Sequence, residues 1–416
     1  MYKREISTEW DFRCADTKEY THCYHSYPAM MIPQIARKLI DDFAPDGGVK
    51  LVFDPYMGSG TTLVEASIKG INSIGFDINP LAKFIAEAKI TIFDIALIDL
   101  SIDTLKGEIE SYFDGCISYN EDDYSHITKS DYWYSRDNLL KLKYLTRIID
   151  QLTYKGVKSF FMISLSEVIR EVSFTRNGEF KRYRIAEERI KEFNPDAFGL
   201  FIDKCQRNRK GLLDMLGSNR DFCAIAAGYN SIHEIPNSVI GDESVDMIVT
   251  SPPYGDSRTT VAYGQFSRWA SEWFQFENAK NIDRMLMGGV PDRSTELYSR
   301  TISNELELIK NEDVKRYIEV VTFLDEYRRS VVNVSRKVRK GGRVCYVVGN
   351  RNVKGVQIPL DYYTAEVFED CGFKHDITIV RSIPNKRMPS KTSPTNKRGV
   401  NVSTMTAEYI VILTKQ

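Results

Sequence analysis

A chain of 416 residues with 42% hydrophobic, 27% charged and 12% aromatic content is long enough for two or three domains, or for one large domain carrying an insertion. Whole-chain disorder, a collagen repeat and a small disulfide scaffold are excluded. Lys+Arg 56 against Asp+Glu 57 leaves a net charge of −1, so affinity for a polyanion would have to reside in a local patch.

The first residues, MYKREISTEWDFR, are charged throughout and lack the apolar core of a secretory signal. No run of 18 apolar residues occurs, so no membrane-spanning helix is expected. The seven cysteines are scattered without a CxxC pair, and Cys14 and Cys23, near His22 and His25, have no second half of a zinc site. Free thiols in a reducing cytoplasm, and no metal, are the expectation.

Apolar spacing predicts a helix over Ile32–Phe43, broken by Pro45-Asp46-Gly47-Gly48. Val49–Phe53 reads as a buried strand, Thr61–Lys69 as a helix stopped by Gly70, and Ile71–Phe76 as a second strand ending at Asp77. Strand, turn, helix and strand imply a parallel pair with a right-handed crossover. The same texture returns later. Ser244–Thr250 reads as a strand, Val314–Arg339 as a long helix ended by Gly341-Gly342, and Arg343–Val348 as a strand. Ala365–Cys371 reads as a helix, and Ile377–Ile383 and Tyr409–Thr414 as the final strands. This is an α/β, doubly wound sheet split by an insertion. Residues 1–96 and 225–416 would form one domain and 97–224 a helical insertion. The insertion is electrically lopsided: residues 94–135 hold ten acids and two lysines, whereas 136–220 hold eighteen Lys/Arg and eleven acids. The basic part suits a polyanion, or is simply a solvated helical face.

Two segments carry chemistry. In Asp54-Pro55-Tyr56-Met57-Gly58-Ser59-Gly60-Thr61-Thr62 a strand feeds a tight Gly turn that opens a helix. Such a turn can bring backbone N–H groups against a nucleotide-like ligand. Neither GxxxxGK[ST] nor GxGxxG is present, which disfavours a phosphate loop or a dinucleotide fold. Asp77, in Gly75-Phe76-Asp77-Ile78-Asn79-Pro80, can accept hydrogen bonds from ribose hydroxyls; a helix N-cap ahead of Pro80 is the alternative. Asp54 could receive an α-ammonium group. The pair suits a ligand with a ribose and a cationic amino-acid end, as in S-adenosylmethionine. The second segment is Ser251-Pro252-Pro253-Tyr254, at a strand end. Its prolines fix the backbone, and their carbonyls point outward. Ser251 and the Pro252 carbonyl can accept from an exocyclic amino group, with a flipped-out base stacked on Tyr254. An ordinary Pro-rich turn is the bland alternative.

Taken together, the two segments resemble the amino-methyltransferases of DNA. Asp54–Thr62 is similar to that family's DPF-x-GSGTT cofactor motif, and Ser251–Tyr254 to its [DNS]-PP-[YFW] catalytic motif. His25-Ser26-Tyr27-Pro28-Ala29 resembles the N-terminal cofactor-side motif. The resemblance spans about 25–95 and 225–415. It implies a seven-stranded Rossmann-like methyltransferase sheet with S-adenosylmethionine as cofactor, held by Tyr27, Pro28, Ala29, Asp54, Pro55, Tyr56, Gly58, Ser59, Gly60, Thr61, Thr62, Asp77, Ile78 and Asn79. The catalytic residues would be Ser251, Pro252, Pro253 and Tyr254. Serine at the first catalytic position is the form typical of cytosine-N4 enzymes, where adenine-N6 enzymes more often carry Asp or Asn. Besides the adenine-N6 enzyme, an RNA base-amine methyltransferase and an inactive DNA-binding subunit are the rivals. Double-stranded DNA is the implied partner, with a cognate restriction endonuclease as a candidate companion. Two features depart from the common pattern: the cofactor motif precedes the catalytic one by about 190 residues, and the third cofactor motif is not plain, Asn230-Ser231 and Asp242 both being candidates.

Basic residues interleaved with aromatics over 170–184 (Arg170, Arg176, Lys181, Arg182, Arg184), with Asn177-Gly178 as a turn, suit phosphates and guanine edges. Residues 377–406 hold six Lys/Arg and no acid; Arg381, Lys386 and Arg387 are its expected DNA contacts, as is Arg258 beside the catalytic motif. Trp269 and Trp273, four residues apart, read as helix packing.

Overall fold

The computed structural model describes residues 2–113, 124–178, 180–218, 221–256, 262–383, 391–392, 402–403 and 405–416. Its centre is an eight-stranded sheet. The strands are β1 (Arg4–Ile6), β2 (Leu51–Asp54), β3 (Asn72–Phe76), β4 (Ala224–Ala227), β5 (Val245–Thr250), β6 (Val338–Val348), β7 (Phe373–Ser382) and β8 (Ala407–Lys415). Their spatial order is β1-β7-β8-β6-β5-β2-β3-β4. All neighbouring pairs are parallel except those of β8, which runs antiparallel to both β6 and β7. The sheet thus has eight strands, not the seven the resemblance implies: six are those read from the sequence, and the other two are β4 and β1, whose Arg4, Glu5 and Ile6 pair with Thr378, Ile379 and Val380. Three residues of mixed polarity leave no periodic signal, so β1 was not legible.

The central strands are buried on both faces, as a sheet covered by helices requires. Every residue of β5 is buried. Helices Pro33–Asp42 and Thr61–Ile68 pack together on one face and cover β5 and β3; Val314–Ser335 and Leu360–Glu369 share a core cluster with Phe53, Ile248, Val344 and Val411. One expectation is corrected. The long helix ends at Ser335, and β6 begins at Val338 and runs through Gly341-Gly342. These glycines do not stop a helix; they make a bulge. Gly341 sits at φ +70°, and the pairing of β5 with β6 shifts register between Val245 and Met247.

Between β3 and β4 the chain builds the helices Pro80–Ile90, Ile95–Phe113, Arg136–Asp150, Lys158–Glu171 and Ala197–Leu216. Those of the insertion share one continuous core with Tyr24, Tyr27 and Leu81, and with Trp269 and Trp273 of the helix Tyr263–Trp273. The inserted helices are therefore packed directly onto the segments flanking both motifs. No helix among the described residues is long and apolar enough to cross a membrane.

Candidate active site

The loops leaving β2, β3, β4 and β5, together with Tyr27–Met31, line an open cleft. It lies at the carboxyl ends of the strands, where doubly wound sheets bind ligands. The Gly turn after β2 is pinned at both ends: Met57 N–H donates to Phe76 O at 2.9 Å, and Gly60 N–H to Met57 O at 2.7 Å. Gly60 has φ +80° and begins the helix Thr61–Ile68. A Cβ at that position would stand 2.9 Å from the Ala86 Cβ. Glycine is needed there both for the dihedral and for the approach of the next helix.

Two carboxylates stand on the cleft floor. Asp54 ends β2; its Oδ1 accepts from Thr250 Oγ1 at 2.5 Å and Tyr56 N–H at 3.1 Å. Burial pushes its pKa up to about 6 against the lowering effect of the Thr250, Thr62 and Tyr56 hydrogen bonds. Asp77 ends β3 and accepts from Asn79 N–H at 2.7 Å; burial raises it also to about 6, opposed by backbone N–H groups that include Gly58. Among the described residues neither pairs with a cation. The helix cap ahead of Pro80 is supplied by Asn79, whose Oδ1 accepts from Leu81 N–H, so Asp77 is free of the alternative role. Asn79 also donates to the Tyr27 hydroxyl at 2.9 Å and to Ser267 at 2.7 Å. Tyr27 stacks on Tyr263 with centroids 5.9 Å apart.

Tyr27, Pro28 and Ala29 therefore meet Asp54, Pro55, Tyr56, Gly58, Ser59 and Thr61 in one cleft, with Asp77, Ile78 and Asn79. Gly60 and Thr62 lie just behind it; Thr62 is buried and donates to Val249 O at 3.1 Å. Asn230 and Ser231 line the cleft. Asp242 instead pairs with Lys337 at 2.6 Å, which favours Asn230-Ser231 for the third cofactor motif. Leu286 and Met287 complete the wall; they follow the one-turn helix Ile282–Met285, too short to leave a periodic signal, and were not expected.

Ser251 and Pro253 face the same cleft. Pro252 is buried. The Tyr254 ring packs beside the end of β6, where a Cβ on Gly349 would stand 2.6 Å from Tyr254 Cδ2. Its hydroxyl lies 3.1 Å from Ser251 Oγ and 3.1 Å from Glu408 Oε1. Asp256, buried, pairs with Arg351 at 3.0 Å and Arg316 at 3.4 Å. Asn350 is buried and donates to Asp361 Oδ1 at 2.8 Å.

The basic residues divide. Thr175 and Arg184 form an antiparallel bridge that presents Arg176, Phe180 and Tyr183 as exposed side chains, with Lys181, Arg182 and Arg184 half-buried. The Arg184 guanidinium lies over Tyr132 and that of Arg182 over Trp269. Two expected DNA contacts are corrected. Arg170 is buried, its guanidinium 4.6 Å from the Phe266 ring centre, and burial lowers its pKa to about 10. Arg381 is buried, donates to Trp10 O at 2.7 Å and pairs with Glu408. Neither can reach a phosphate from there. Arg258, Lys386 and Arg387 lie outside the described residues.

A family model for N6/N4 enzymes, described as DNA methylase, matches residues 2–88. The chain is 36% identical to the type II methyltransferase M.MvaI of Kocuria varians, over 97% of this chain and 92% of that protein. It is 24% identical to the type II methyltransferase M.BsoBI of Geobacillus stearothermophilus, over 86% and 80% of the two chains. Among solved structures, the rRNA methyltransferase AviRa of Streptomyces viridochromogenes covers 98% of this chain and 94% of its own at 9% identity, with a TM-score of 0.34, too low to carry an argument. A cleft flanked by the Gly turn and the Ser-Pro-Pro-Tyr strand end, and an M.MvaI relative that matches nearly end to end, lead to one conclusion: the chain belongs to the type II methyltransferases of the N4/N6 DNA methylase family, whose methyl donor is S-adenosylmethionine.

Proposed function

We propose that this chain methylates the N4 amino group of cytosine within a short recognised sequence of duplex DNA. The observation that carries the base assignment is Ser251, a neutral hydroxyl on the cleft wall where a carboxylate or amide would suit the adenine enzymes. S-adenosylmethionine, when bound, would supply a sulfonium-activated methyl group to the amino nitrogen and leave as S-adenosylhomocysteine, with the nitrogen giving up one proton. Asp77 holds the ribose and Asp54 faces the cationic amino-acid end, with Tyr27, Pro28 and Ala29 against the other side. Among the described residues no cation competes at either carboxylate, which supports this division. Ser251 Oγ and the Pro252 carbonyl accept from the exocyclic amino group, and the Tyr254 ring stacks on the base. The enzyme's contribution is orientation and hydrogen bonding of a flipped-out base.

The inserted helices of 97–224 act as the DNA-recognition part. The exposed Arg176, with Lys181, Arg182 and Arg184 around Phe180 and Tyr183, is the surface we assign to phosphates and base edges. An endonuclease of the same sequence specificity is the expected companion. The test is transfer from labelled S-adenosylmethionine to unmethylated genomic DNA, followed by nucleoside mass spectrometry. N4-methylcytosine is the expected product. N6-methyladenine would overturn the serine argument while keeping the mechanism, and intact cofactor binding with no transfer to DNA would overturn the DNA substrate.

A further inference from the structure

The catalytic serine stands at the head of a chain of polar side chains that leads away from the cleft. Ser251 Oγ is 3.1 Å from the Tyr254 hydroxyl, and that hydroxyl is 3.1 Å from Glu408 Oε1. Glu408 Oε2 pairs with Arg381, its cross-strand neighbour on β7. Arg381 is in turn fixed by Trp10 O at 2.7 Å and Asp11 O at 3.2 Å. Arg381 and the backbone it holds are buried, and Glu408 is 18% exposed.

The polarity of this chain follows from hydrogen-bond chemistry. A carboxylate only accepts, so the Tyr254 O–H must point at Glu408. The lone pairs of Tyr254 then face Ser251, whose single proton is drawn towards them. Both lone pairs of Ser251 are left for the cleft. An exocyclic amino group is a donor through both N–H bonds, and it needs an acceptor at that position. Without Glu408, Tyr254 could donate to Ser251, and Ser251 could turn its proton towards the amino group, donor against donor.

We infer that Glu408 is a positioning residue that, through Tyr254, fixes Ser251 as a hydrogen-bond acceptor for the amino group of the target base, with Arg381 holding Glu408 in place. The inference rests on the base-methylation reading given above. It also gives the buried Arg381 a task that a DNA contact would not explain. The interaction joins β5 to β8, two strands separated in the sheet by β6, so the target side of the site depends on a residue 154 positions along the chain from Tyr254.

The test is steady-state methylation of unmethylated genomic DNA with labelled S-adenosylmethionine by the full chain, comparing wild type, Glu408→Gln, Tyr254→Phe and the double variant. Each single variant should lower kcat by about tenfold, the effect of one misdirected hydrogen bond, while the dissociation constant of S-adenosylmethionine stays within about twofold by calorimetry. The double variant should be no slower than the slower single variant, because both changes cut the same chain. Multiplying effects would show that Glu408 acts through the sheet and not through Tyr254, and would overturn the inference, as would a Glu408→Gln enzyme with wild-type kcat. If Glu408→Gln does not fold, Tyr254→Phe alone decides, since it leaves the Arg381–Glu408 pair untouched: wild-type kcat in that variant overturns the inference. A wild-type protein that binds cofactor but moves no methyl to DNA removes the underlying reading and the inference with it; an active wild type with unaffected variants removes the inference alone.

Discussion

The two sides of the cleft are built from different distances along the chain. The side we assign to the cofactor takes most of its lining from residues 27–79, with bonds inside that span (Met57 to Phe76, Asp77 to Asn79, Asn79 to Tyr27) and long-range ties from Asp54 to Thr250 and from Asn79 to Ser267. The side we assign to the target base takes Ser251 from the end of β5, with Tyr254 beside it held by Glu408 and Arg381 from β8 and β7. Asp256 likewise depends on Arg316 and Arg351. A compact loop can be written into one motif and carried between proteins. A site assembled from sheet neighbours can be adjusted strand by strand, and this suits the part of an enzyme that must choose its base.

The largest effect that would sharpen this contrast is Tyr254→Ala. It should lower kcat at least ~100-fold by removing the stacking surface and the polar chain, with S-adenosylmethionine affinity unchanged by calorimetry; a matching loss of cofactor affinity would merge the two sides. Asp77→Ala should do the reverse. It removes charge-assisted hydrogen bonds worth about 1.5–3 kcal/mol, so S-adenosylmethionine binding should weaken ten- to a hundredfold, while product identity by mass spectrometry is preserved at saturating cofactor.

A pH titration separates the sides next. Asp54 and Asp77 titrate near 6 in the empty protein because burial favours the neutral acid. A cationic ligand favours the carboxylate, so binding expels protons, and S-adenosylmethionine affinity should rise from pH 5 to pH 7, by roughly tenfold for each group that must ionise. The stability of the empty protein runs the other way. Between the ordinary 3.8 and about 6 the folded state holds more protons than the unfolded state, so this contribution weakens as pH rises through that window. Calorimetric binding and denaturant melts at pH 5 and 7 check both signs. The smallest effect is expected at the DNA surface. Arg176→Ala should raise KM for DNA a few-fold and reduce the salt slope of binding by about 1. Arg170→Ala should leave that slope alone and lower Tm.

Much of the sheet was legible because its central strands are short apolar runs bounded by Gly and Pro turns, and most of the cofactor side was legible because one loop and one strand end contain it. What escaped had a physical cause in each case. β1 is three residues held by a neighbour rather than by its own pattern. Gly341 reads as a helix stop because a bulge and a helix end both favour left-handed backbone. Arg170 and Arg381 read as surface cations because sequence shows the charge and not the cavity that receives it. Lys89 is the same lesson on a helix: a fully buried lysine, 3.4 Å from Ser59 Oγ behind the Gly turn, with its pKa pushed down to about 7 by burial. Glu408 escaped because its partner is fixed only when β8 is in register with β7.

The seam between the inserted helices and the catalytic strand end gathers three of the four tryptophans. Trp133 and Trp269 stand 5.1 Å apart with Arg182 over Trp269 at 4.7 Å, and the indole N–H groups of Trp269 and Trp273 donate to Thr175 and Thr146 of the insertion. The intrinsic fluorescence of this protein is therefore dominated by one locality. Its emission will report the joint between the inserted helices and the helix that follows Ser-Pro-Pro-Tyr, and a stopped-flow trace recorded without any attached dye will show whether that joint responds when DNA is added.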